Sequence, residues 1–231
     1  MNGEAEKASR PAVPEGGRAA DTHERILRAA TAEFSRYGFS GANTTRIVAA
    51  ADCNIRMIYH YFGDKQGLYR AALERVYLAL RQAEAELQID QLPPQEGIES
   101  FISFTFDYML AHPEFPLMMR VENLNEGRMV REIGSVFETS RPLMSRLGKL
   151  LDRGYELGVF RGRRSPENLY LSILGLSFVH IFNFHTAGKT LGLDFSSPEF
   201  LAQRRRETLE MVIAYLKDAP ETAIEGSAGA R

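Results

Sequence analysis

A short stretch of the chain places arginine, methionine, tyrosine and histidine at a spacing that suits contact with a nucleic acid. At about 100° per residue, Ile58 and Phe62 lie about 40° apart and define the buried side of a short helix over residues 55–62. The opposite side presents groups that can hydrogen-bond or stack against base edges and phosphates, namely Arg56, Met57, Tyr59 and His60. The alternative is a merely solvated surface, on which such a cluster of rings would be unusual.

The preceding residues predict the helices that position this face. A first helix is expected to begin at Asp21 or Thr22, where Asp21 can cap it, and to end at Gly38. A short helix over residues 45–51 follows, and a turn at 52–54 leads into the helix with the polar face. Two short helices joined by a tight turn, behind a longer packing helix, have the plan of a helix-turn-helix.

The start of the next long helix offers a place for an anion. Asp64 can cap this helix, which runs towards Leu87, and the first turn then keeps free N–H groups. Lys65 adds a positive charge beside those groups, so the position suits a DNA phosphate. The alternative for Lys65 is an ordinary solvated lysine.

Composition permits this interpretation without demanding it. The chain has 231 residues, 44% of them hydrophobic, and a formal net charge of -2, which is not typical of a nucleic-acid binder. The segment from Thr22 to Lys65, however, has six basic and four acidic side chains, and a local excess of positive charge is all that DNA binding requires. Cys53 is the only cysteine, which excludes an intrachain disulfide and a cysteine metal site and indicates a reducing compartment. We favour a structural role for Cys53 over redox control.

The two ends of the chain and its most apolar stretch give no membrane signal. Residues 1–20 and 218–231 are polar or rich in small residues, and we expect both to be disordered tails rather than targeting segments. Residues 169–184 are strongly apolar but too few for a comfortable membrane span, and they include His180 and Asn183. We therefore expect a cytoplasmic protein that does not enter a membrane.

Everything between the tails has helical periodicity, and strand patterns are almost absent. Two helix starts are well marked, because serine followed by proline occurs at Ser165-Pro166 and at Ser197-Pro198. Beyond the helix-turn-helix, long helices are predicted near residues 95–111, 113–125, 130–157, 166–186 and 198–217. The fold class is therefore all-α.

The stretch TTRIVAAADCNIRMIYHYFGDKQGLY resembles the helix-turn-helix signature of the TetR (tetracycline-repressor-like) family, and the similarity extends from Ile26 to Tyr69. The resemblance implies a three-helix DNA-binding domain over residues 21–66 and a larger helical ligand-binding and dimerisation domain over residues 67–217. It further implies that Tyr59 contacts a base or the backbone and that Tyr61 and Lys65 hold phosphates. Three residues would act at the start of the positioning helix: Thr44, Thr45 and Arg46.

Some positions depart from the family pattern. Asp52-Cys53-Asn54 replaces the commoner Gly-Val-Ser turn, so Asn54 must cap the recognition helix, and Tyr61 stands where many members have histidine. The variable positions Ile55, Arg56 and Met57 are expected to set which sequence is read. The full set of expected DNA-binding residues is Thr44, Thr45, Arg46, Asn54, Ile55, Arg56, Met57, Tyr59, His60, Tyr61 and Lys65.

The second domain would dimerise and hold a small molecule. Residues 169–184 are apolar all around, which requires cover on two sides, and the last helix has an apolar stripe at Leu201, Leu209, Val212, Ile213 and Leu216. In TetR-like proteins the final two long helices pair with those of a second subunit. A ligand pocket is expected among the middle helices, with the candidate residues Phe101, Phe104, Tyr108, Met118, Met119, Glu122, Asn123, His180, Asn183 and Phe184. The alternative is that these residues are plain core.

The resulting prediction is a homodimeric regulator, a repressor that a small-molecule effector releases from a palindromic double-stranded DNA operator. An activator or a ligand-independent regulator of the same fold is the alternative. A small helical enzyme is disfavoured because no nucleophile motif, phosphate loop or carboxylate pair occurs, and a scaffold would leave the polar helix face unexplained. No cofactor or metal is expected, since His112, His180, His185 and Glu122 lack a metal-ligand spacing.

Overall fold

The structure is a computed structural model that describes residues 17–218, with the side chains of residues 18 and 135–138 left aside. Within this range the chain forms helices α1 to α10 and two short 3-10 helices, Ile89–Gln91 and Val130–Glu132, and no strand. The α-helices are α1 Gly17–Gly41, α2 Thr44–Ala50, α3 Ile55–Phe62, α4 Lys65–Ala85, α5 Pro94–Ala111, α6 Glu114–Leu124, α7 Gly134–Glu156, α8 Pro166–Phe182, α9 Ala187–Leu191 and α10 Pro198–Asp218. The predicted all-α class is confirmed. Most of the two predicted tails lies outside the described residues.

The described helices form two compact units. The first comprises the chain up to Tyr77 together with Leu117–Gly134, and the second comprises Leu78–Pro116 together with the residues from Ser135 onward. No helix within residues 17–218 is long and apolar enough to cross a membrane.

Helix α1 is longer than predicted at its N-terminus. It begins at Gly17 rather than at Asp21, and Asp21 instead forms an ion pair with Arg25 one turn later (Oδ2 to Nε, 3.4 Å). The prediction that Asp21 caps the helix is therefore wrong. Near the other end Gly38 has φ 69°, which only glycine adopts readily, so the helix kinks there before a last turn to Gly41.

The core of the first unit forms where α1, α2, α3 and α4 meet. It contains Ile26, Ala30, Phe34, Ile47, Ile58, Phe62, Leu68, Tyr69 and Leu73. The segment Leu117–Gly134 belongs to the same unit: Val121 lies 3.7 Å from the position a Cβ on Gly38 would take, and Arg70 of α4 pairs with Glu132 (3.3 Å). Residues distant in the sequence thus complete the hydrophobic body behind the two short helices.

The second unit is built on the contacts among α5, α8 and α10. Its core includes Ile98, Phe101, Ile102, Leu147, Leu150, Leu169, Ile173, Val212 and Leu216. Two features of the α-helices differ from the predictions. Helix α7 begins at Gly134 rather than near residue 130, and α8 ends at Phe182, after which α9 forms a separate short helix. Helix α7 runs through Pro142, as its predicted extent required.

Candidate nucleic-acid interface

Helix α3 presents the predicted polar face to solvent. Ile58 and Phe62 are buried, whereas Arg56 and His60 are exposed and the Tyr59 side chain is 60% exposed. Ile55 and Met57 are half-buried at the edges of this face. The burial and exposure expected from the helical period are therefore confirmed. An exposed tyrosine between an arginine and a histidine offers a ring for stacking and donors for bases or phosphates.

Two asparagines cap the N-termini of the short helices. The Asn43 Oδ1 accepts a hydrogen bond from the Thr45 amide (2.7 Å), which caps α2, and the Asn54 Oδ1 accepts one from the Arg56 amide (2.9 Å), which caps α3. The predicted cap at Asn54 is confirmed, and the cap at Asn43 is an addition to the predictions. Both caps satisfy first-turn N–H groups and so define where each short helix begins.

Thr44 and Thr45 lie at the start of α2, half-buried and exposed respectively. Arg46 is exposed, but its guanidinium is engaged within the chain. It donates to Glu33 Oε1 from Nε (2.8 Å) and from Nη2 (2.5 Å), and it lies 4.5 Å from the centre of the Tyr37 ring. Burial alone would raise the pKa of Glu33, but the hydrogen bond from Arg46 and one from a backbone amide outweigh burial and lower it. Arg46 therefore fastens α2 to α1, a positioning role that the sequence did not suggest.

Tyr61 lies in the core rather than on the solvated face. Its side chain is 7% exposed, its ring packs edge-on against His23 (5.5 Å between centroids), and its hydroxyl donates to the Ala19 carbonyl (3.4 Å). In this structure Tyr61 joins α3 to the N-terminal part of α1. The predicted phosphate contact of Tyr61 remains a prediction that would need its hydroxyl to leave this partner.

The junction between α3 and α4 has the expected cap. The Asp64 Oδ1 accepts a hydrogen bond from the Gly67 amide (2.7 Å), which leaves the amides of Lys65 and Gln66 at the open end of α4. Lys65 is half-buried, with its Nζ 5.0 Å from the centre of the Phe39 ring. The open end of α4 suits an anion, and Lys65 is the first residue of that helix.

Gly67 is a requirement of this junction that sequence reasoning missed. A Cβ built on Gly67 would lie 2.0 Å from the carbonyl oxygen of Phe62, far inside any permitted contact. The chain can therefore turn this tightly from α3 into α4 only with glycine at position 67. Cys53, in the turn before α3, is half-buried, and burial raises the pKa of its thiol, which favours the protonated form.

Four of the predicted effector residues belong to the first unit, namely Met118, Met119, Glu122 and Asn123. Glu122 is buried, and its carboxylate accepts hydrogen bonds from the Tyr69 hydroxyl (2.8 Å) and from the amides of Met129 and Val130 (3.1 Å each). Burial, and then Glu122 itself, raise the pKa of Tyr69. Glu122 therefore serves the fold, which corrects the expectation of a free ligand-binding carboxylate. Met119 contacts the Tyr77 hydroxyl, and Asn123 is exposed.

The remaining predicted effector residues belong to the second unit. Phe104 and Tyr108 are half-buried and pack on each other (5.5 Å between centroids). Asn183 caps the end of α8 through a hydrogen bond from its Nδ2 to the Val179 carbonyl (2.9 Å), and Phe184 is 43% exposed. His180 is buried, with only 4% of its surface exposed. Phe101 is a fully buried core residue of this unit, and Met118 is a fully buried core residue of the first unit.

An open cleft of about 720 Å³ in the second unit is lined by none of these candidates. Its walls are Leu78, Arg81, Gln82, Glu84, Ala85, Leu87, Gln88, Asp90, Thr139, Pro142, Leu143 and Arg146.

A buried ionic network underlies this cleft. Glu84 pairs with Arg81 (3.0 Å), and Arg81 Nη2 donates to the Tyr170 hydroxyl (2.6 Å). Burial raises the pKa of Glu84 to about 7 despite the nearby cation, and burial raises the pKa of Tyr170 to about 12. Sequence reasoning missed this network because Tyr170 lies 89 positions from Arg81 in the chain. Among the residues that the structure describes, no three histidine, cysteine or carboxylate side chains are placed to hold a metal ion.

Known proteins place this architecture in a family. The family described as "Bacterial regulatory proteins, tetR family" matches residues 26–72, and "Tetracyclin repressor-like, C-terminal domain" matches residues 94–212. The HTH-type transcriptional repressor NicS of Pseudomonas putida is 33% identical over 178 residues, which cover 77% of this chain and 84% of that protein. The HTH-type transcriptional repressor SCO4008 of Streptomyces coelicolor is 37% identical over 153 residues, or 66% of this chain and 74% of that protein.

Solved structures agree at the level of the fold. The ketosteroid transcriptional regulator KstR2 of Mycobacterium tuberculosis superposes with a TM-score of 0.65 at 16% identity, over 91% of this chain and all of that chain. The chain belongs to the tetR family of bacterial transcription regulators, as its sequence resemblance predicted. It is a DNA-binding transcriptional regulator with an N-terminal helix-turn-helix, and its relatives are regulators rather than enzymes.

Proposed function

We propose that the protein is a cytoplasmic homodimeric repressor that binds a palindromic operator and is released from it by a small molecule. The DNA-binding domain would comprise residues 21–66, and residues 67–217 would serve dimerisation and effector binding. The relatives NicS and SCO4008 carry the name of repressors, which supports this direction of regulation. The observation that carries the proposal is the exposed face of α3, with Arg56, Tyr59 and His60 on a helix whose start is capped by Asn54.

This face has the composition needed to read DNA, and its neighbours can hold the backbone. Arg56 and His60 can contact base edges or phosphates, and the Tyr59 ring is free to stack. Lys65 and the open end of α4 suit one phosphate, and Thr45 at the start of α2 suits another. A second α3 from a second subunit would meet a neighbouring major groove, about one helical turn away on the same side of the duplex.

The test is selection of binding sites from a random DNA duplex pool by the purified chain. We expect recovery of an inverted repeat, and loss of specific binding in Tyr59→Ala with the circular dichroism spectrum unchanged. Tyr155→Ala, which truncates another exposed tyrosine, is the matched control and should bind as the unmodified protein does. Recovery of no consensus, or unchanged operator affinity of Tyr59→Ala, would refute the assignment of α3 as the recognition helix.

Phosphate contacts have a separate signature in the salt dependence of binding. Each lost phosphate contact should reduce the slope of log affinity against log salt by about 0.9, so Lys65→Ala should bind all sequences more weakly and with a shallower slope. Arg206→Ala, an exposed change on α10, should leave both affinity and slope unaltered. An unchanged slope in Lys65→Ala would remove Lys65 from the interface.

Dimerisation is supported by apolar side chains that α8 and α10 leave in solvent. Leu171 and Val179 of α8 are 64% and 41% exposed, and Met211 and Tyr215 of α10 are 43% and 51% exposed. These exposed residues of α10 are not the apolar stripe that the sequence predicted for this helix, because Val212 and Leu216 of that stripe are buried within the chain. Exposed apolar side chains on two neighbouring helices are what an interface between copies would cover.

The dimer is tested by sedimentation equilibrium of charge-introducing variants. Leu171→Asp should convert the dimer to a monomer and weaken operator binding, because two half-sites would no longer be held together. Leu157→Asp changes a leucine of equal exposure (65%) after α7 and should leave the dimer intact. A monomeric unmodified protein, or a dimeric Leu171→Asp, would contradict the proposed interface.

Effector release is the step that the second unit would perform, through a shift in population between states that bind DNA well and poorly. An activator or a ligand-independent regulator remains the alternative for the same fold. Transcription in vitro from the selected operator distinguishes them: a repressor lowers the transcript yield, and the regulator is ligand-dependent only if some small molecule restores it.

A further inference from the structure

Two polar side chains of the second unit are buried without any hydrogen-bond partner. Ser177 is 0% exposed and His180 is 4% exposed, and they lie one turn apart on the inner side of α8. The Ser177 Oγ and both ring nitrogens of His180 make no hydrogen bond within the chain. Buried polar groups are almost always paired, because each unpaired group loses its hydration without compensation.

Ser177 differs in this respect from two other buried hydroxyls of the second unit. The Thr105 hydroxyl donates to the Phe101 carbonyl (2.8 Å), and the Thr208 hydroxyl donates to the Arg204 carbonyl (2.9 Å). Those hydroxyls use the preceding helical turn, whereas Ser177 does not. Its hydroxyl therefore stays available for a different partner, next to the available nitrogens of His180.

Aromatic rings surround the imidazole of His180. Phe106 of α5 stacks on it (5.5 Å between centroids, 25° between planes), and Phe200 of α10 approaches it at 6.0 Å. Phe195 approaches it edge-on at 6.4 Å and itself stacks on Phe200 at 4.7 Å. The three phenylalanine rings form walls against which another flat ring can pack, and the polar atoms of Ser177 and His180 lie at one place among them.

The site favours an uncharged guest. Burial, and then the charge of Arg204, lower the pKa of His180 to about 4, so the imidazole is neutral and offers one donor and one acceptor. Arg204 is half-buried and donates to the Leu176 carbonyl (3.3 Å). Moving an ion into such an apolar interior is costly, whereas a neutral hydroxyl or ring N–H can pair with Ser177 and His180.

We propose that Ser177 and His180 form the polar end of an effector site for a small uncharged aromatic molecule with a hydroxyl or ring N–H group. The guest ring takes the place of the Phe195 ring, which belongs to the connection between α9 and α10 and can move without unfolding a long helix. The guest lies among Phe106 and Phe200, and its polar group bonds His180 and Ser177. This inference rests on the proposed function only in calling the guest an effector.

The test measures binding of phenol and indole to the purified full chain without DNA, by calorimetry and by the imidazole ¹⁵N signals of His180. We expect phenol to bind at least tenfold more tightly than toluene, which lacks the hydroxyl, and than benzoate, which is charged. His180→Phe and Ser177→Ala should each weaken phenol binding at least tenfold. Both variants should melt no lower than the unmodified protein, because each replaces an unpaired polar group with an apolar one.

Ser172→Ala is the matched control, because the Ser172 hydroxyl lies on the exposed side of α8 and donates to the Asn168 carbonyl. It should leave phenol affinity unchanged. Absence of phenol and indole binding at millimolar concentration, equal binding of phenol and toluene, or full phenol affinity in both His180→Phe and Ser177→Ala would overturn the site. Whether a bound guest lowers operator affinity is a separate measurement, and its failure would count against effector release rather than against the site.

Discussion

The clasp formed by Glu122 and Tyr69 gives the sharpest prediction about stability. The buried carboxylate of Glu122 accepts hydrogen bonds from the Tyr69 hydroxyl and from the amides of Met129 and Val130. It therefore joins α4 to the turn that follows α6. Tyr69 in turn packs edge-on against Phe34 of α1 at 4.9 Å. Removing the carboxylate would therefore affect the body that carries α2 and α3.

The magnitude follows from counting the groups left without partners. Tyr69→Phe removes one donor but leaves the carboxylate two amides, so the free energy of unfolding should fall by about 1–2 kcal/mol. Glu122→Ala leaves the buried Tyr69 hydroxyl and two part-buried amides unpaired and opens a cavity, and we expect a loss of about 3–5 kcal/mol. Because both variants break the same hydrogen bond, the double variant should lose less than the two single losses together, with a coupling of about 1–2 kcal/mol.

Urea denaturation followed by circular dichroism measures these free energies, and amide exchange of Met129 and Val130 reports the clasp locally. In Glu122→Ala both amides should exchange much faster than in the unmodified protein. Tyr59→Phe removes an exposed hydroxyl and should change the unfolding free energy by less than about 0.5 kcal/mol. A coupling near zero between Tyr69 and Glu122, or unchanged exchange in Glu122→Ala, would show that the clasp contributes nothing to stability.

Three further variants follow from the structure. Burial raises the pKa of Glu84 from 4.5 to about 7, so the favourable contribution of its protonated form is complete below pH 4.5 and lost as the pH rises through 7. Between pH 5 and 8 the free energy of unfolding of the unmodified protein should thus fall by about 2 kcal/mol relative to that of Glu84→Gln, as measured by urea titration. The exposed control variant Glu86→Gln should show the same pH dependence as the unmodified protein. Gly67→Ala should destabilise by about 1–3 kcal/mol through the clash with Phe62, while Gly148→Ala, with only an ordinary contact, should not; equal melting of the two glycine variants would contradict the geometry. Asn54→Ala should cost about 1 kcal/mol and weaken operator binding by fraying α3, and unaltered binding together with unaltered stability would argue against the cap.

Local rules of helix geometry were sufficient to predict the buried face, the exposed face and the cap of α3. The period of 3.6 residues places Ile58 and Phe62 inside and Tyr59 outside, and the cap at Asn54 needs only its neighbours in sequence. The start of α7 could not be predicted in the same way. Glu122 draws the amides of Met129 and Val130 towards itself, so this stretch forms a 3-10 turn, and the α-helix starts only at Gly134.

The roles of several charged residues depend on partners that are distant in the sequence. Arg46 bonds Glu33, thirteen positions earlier, and this contact fastens α2 to α1, whereas a DNA contact of Arg46 stays a prediction. Tyr61 reaches the Ala19 carbonyl because α1 begins at Gly17, before the predicted start. The hydrogen bonds that join Tyr170 to Arg81 and Glu84 likewise form only when α4 and α8 meet, and no local sequence pattern predicts them.

The inclusion of Leu117–Gly134 in the first unit has a consequence for protein engineering and for evolution. The helix-turn-helix and its supporting body are discontinuous in the chain, so the boundary seen in sequence comparisons, with matches at residues 26–72 and 94–212, does not coincide with the boundary of the physical module. A chimaera that exchanges only the N-terminal segment would separate Tyr69 from Glu122 and Gly38 from Val121. Operator specificity should therefore transfer between relatives as a two-part graft, in which the N-terminal helices travel together with the end of α6 and the turn that follows it.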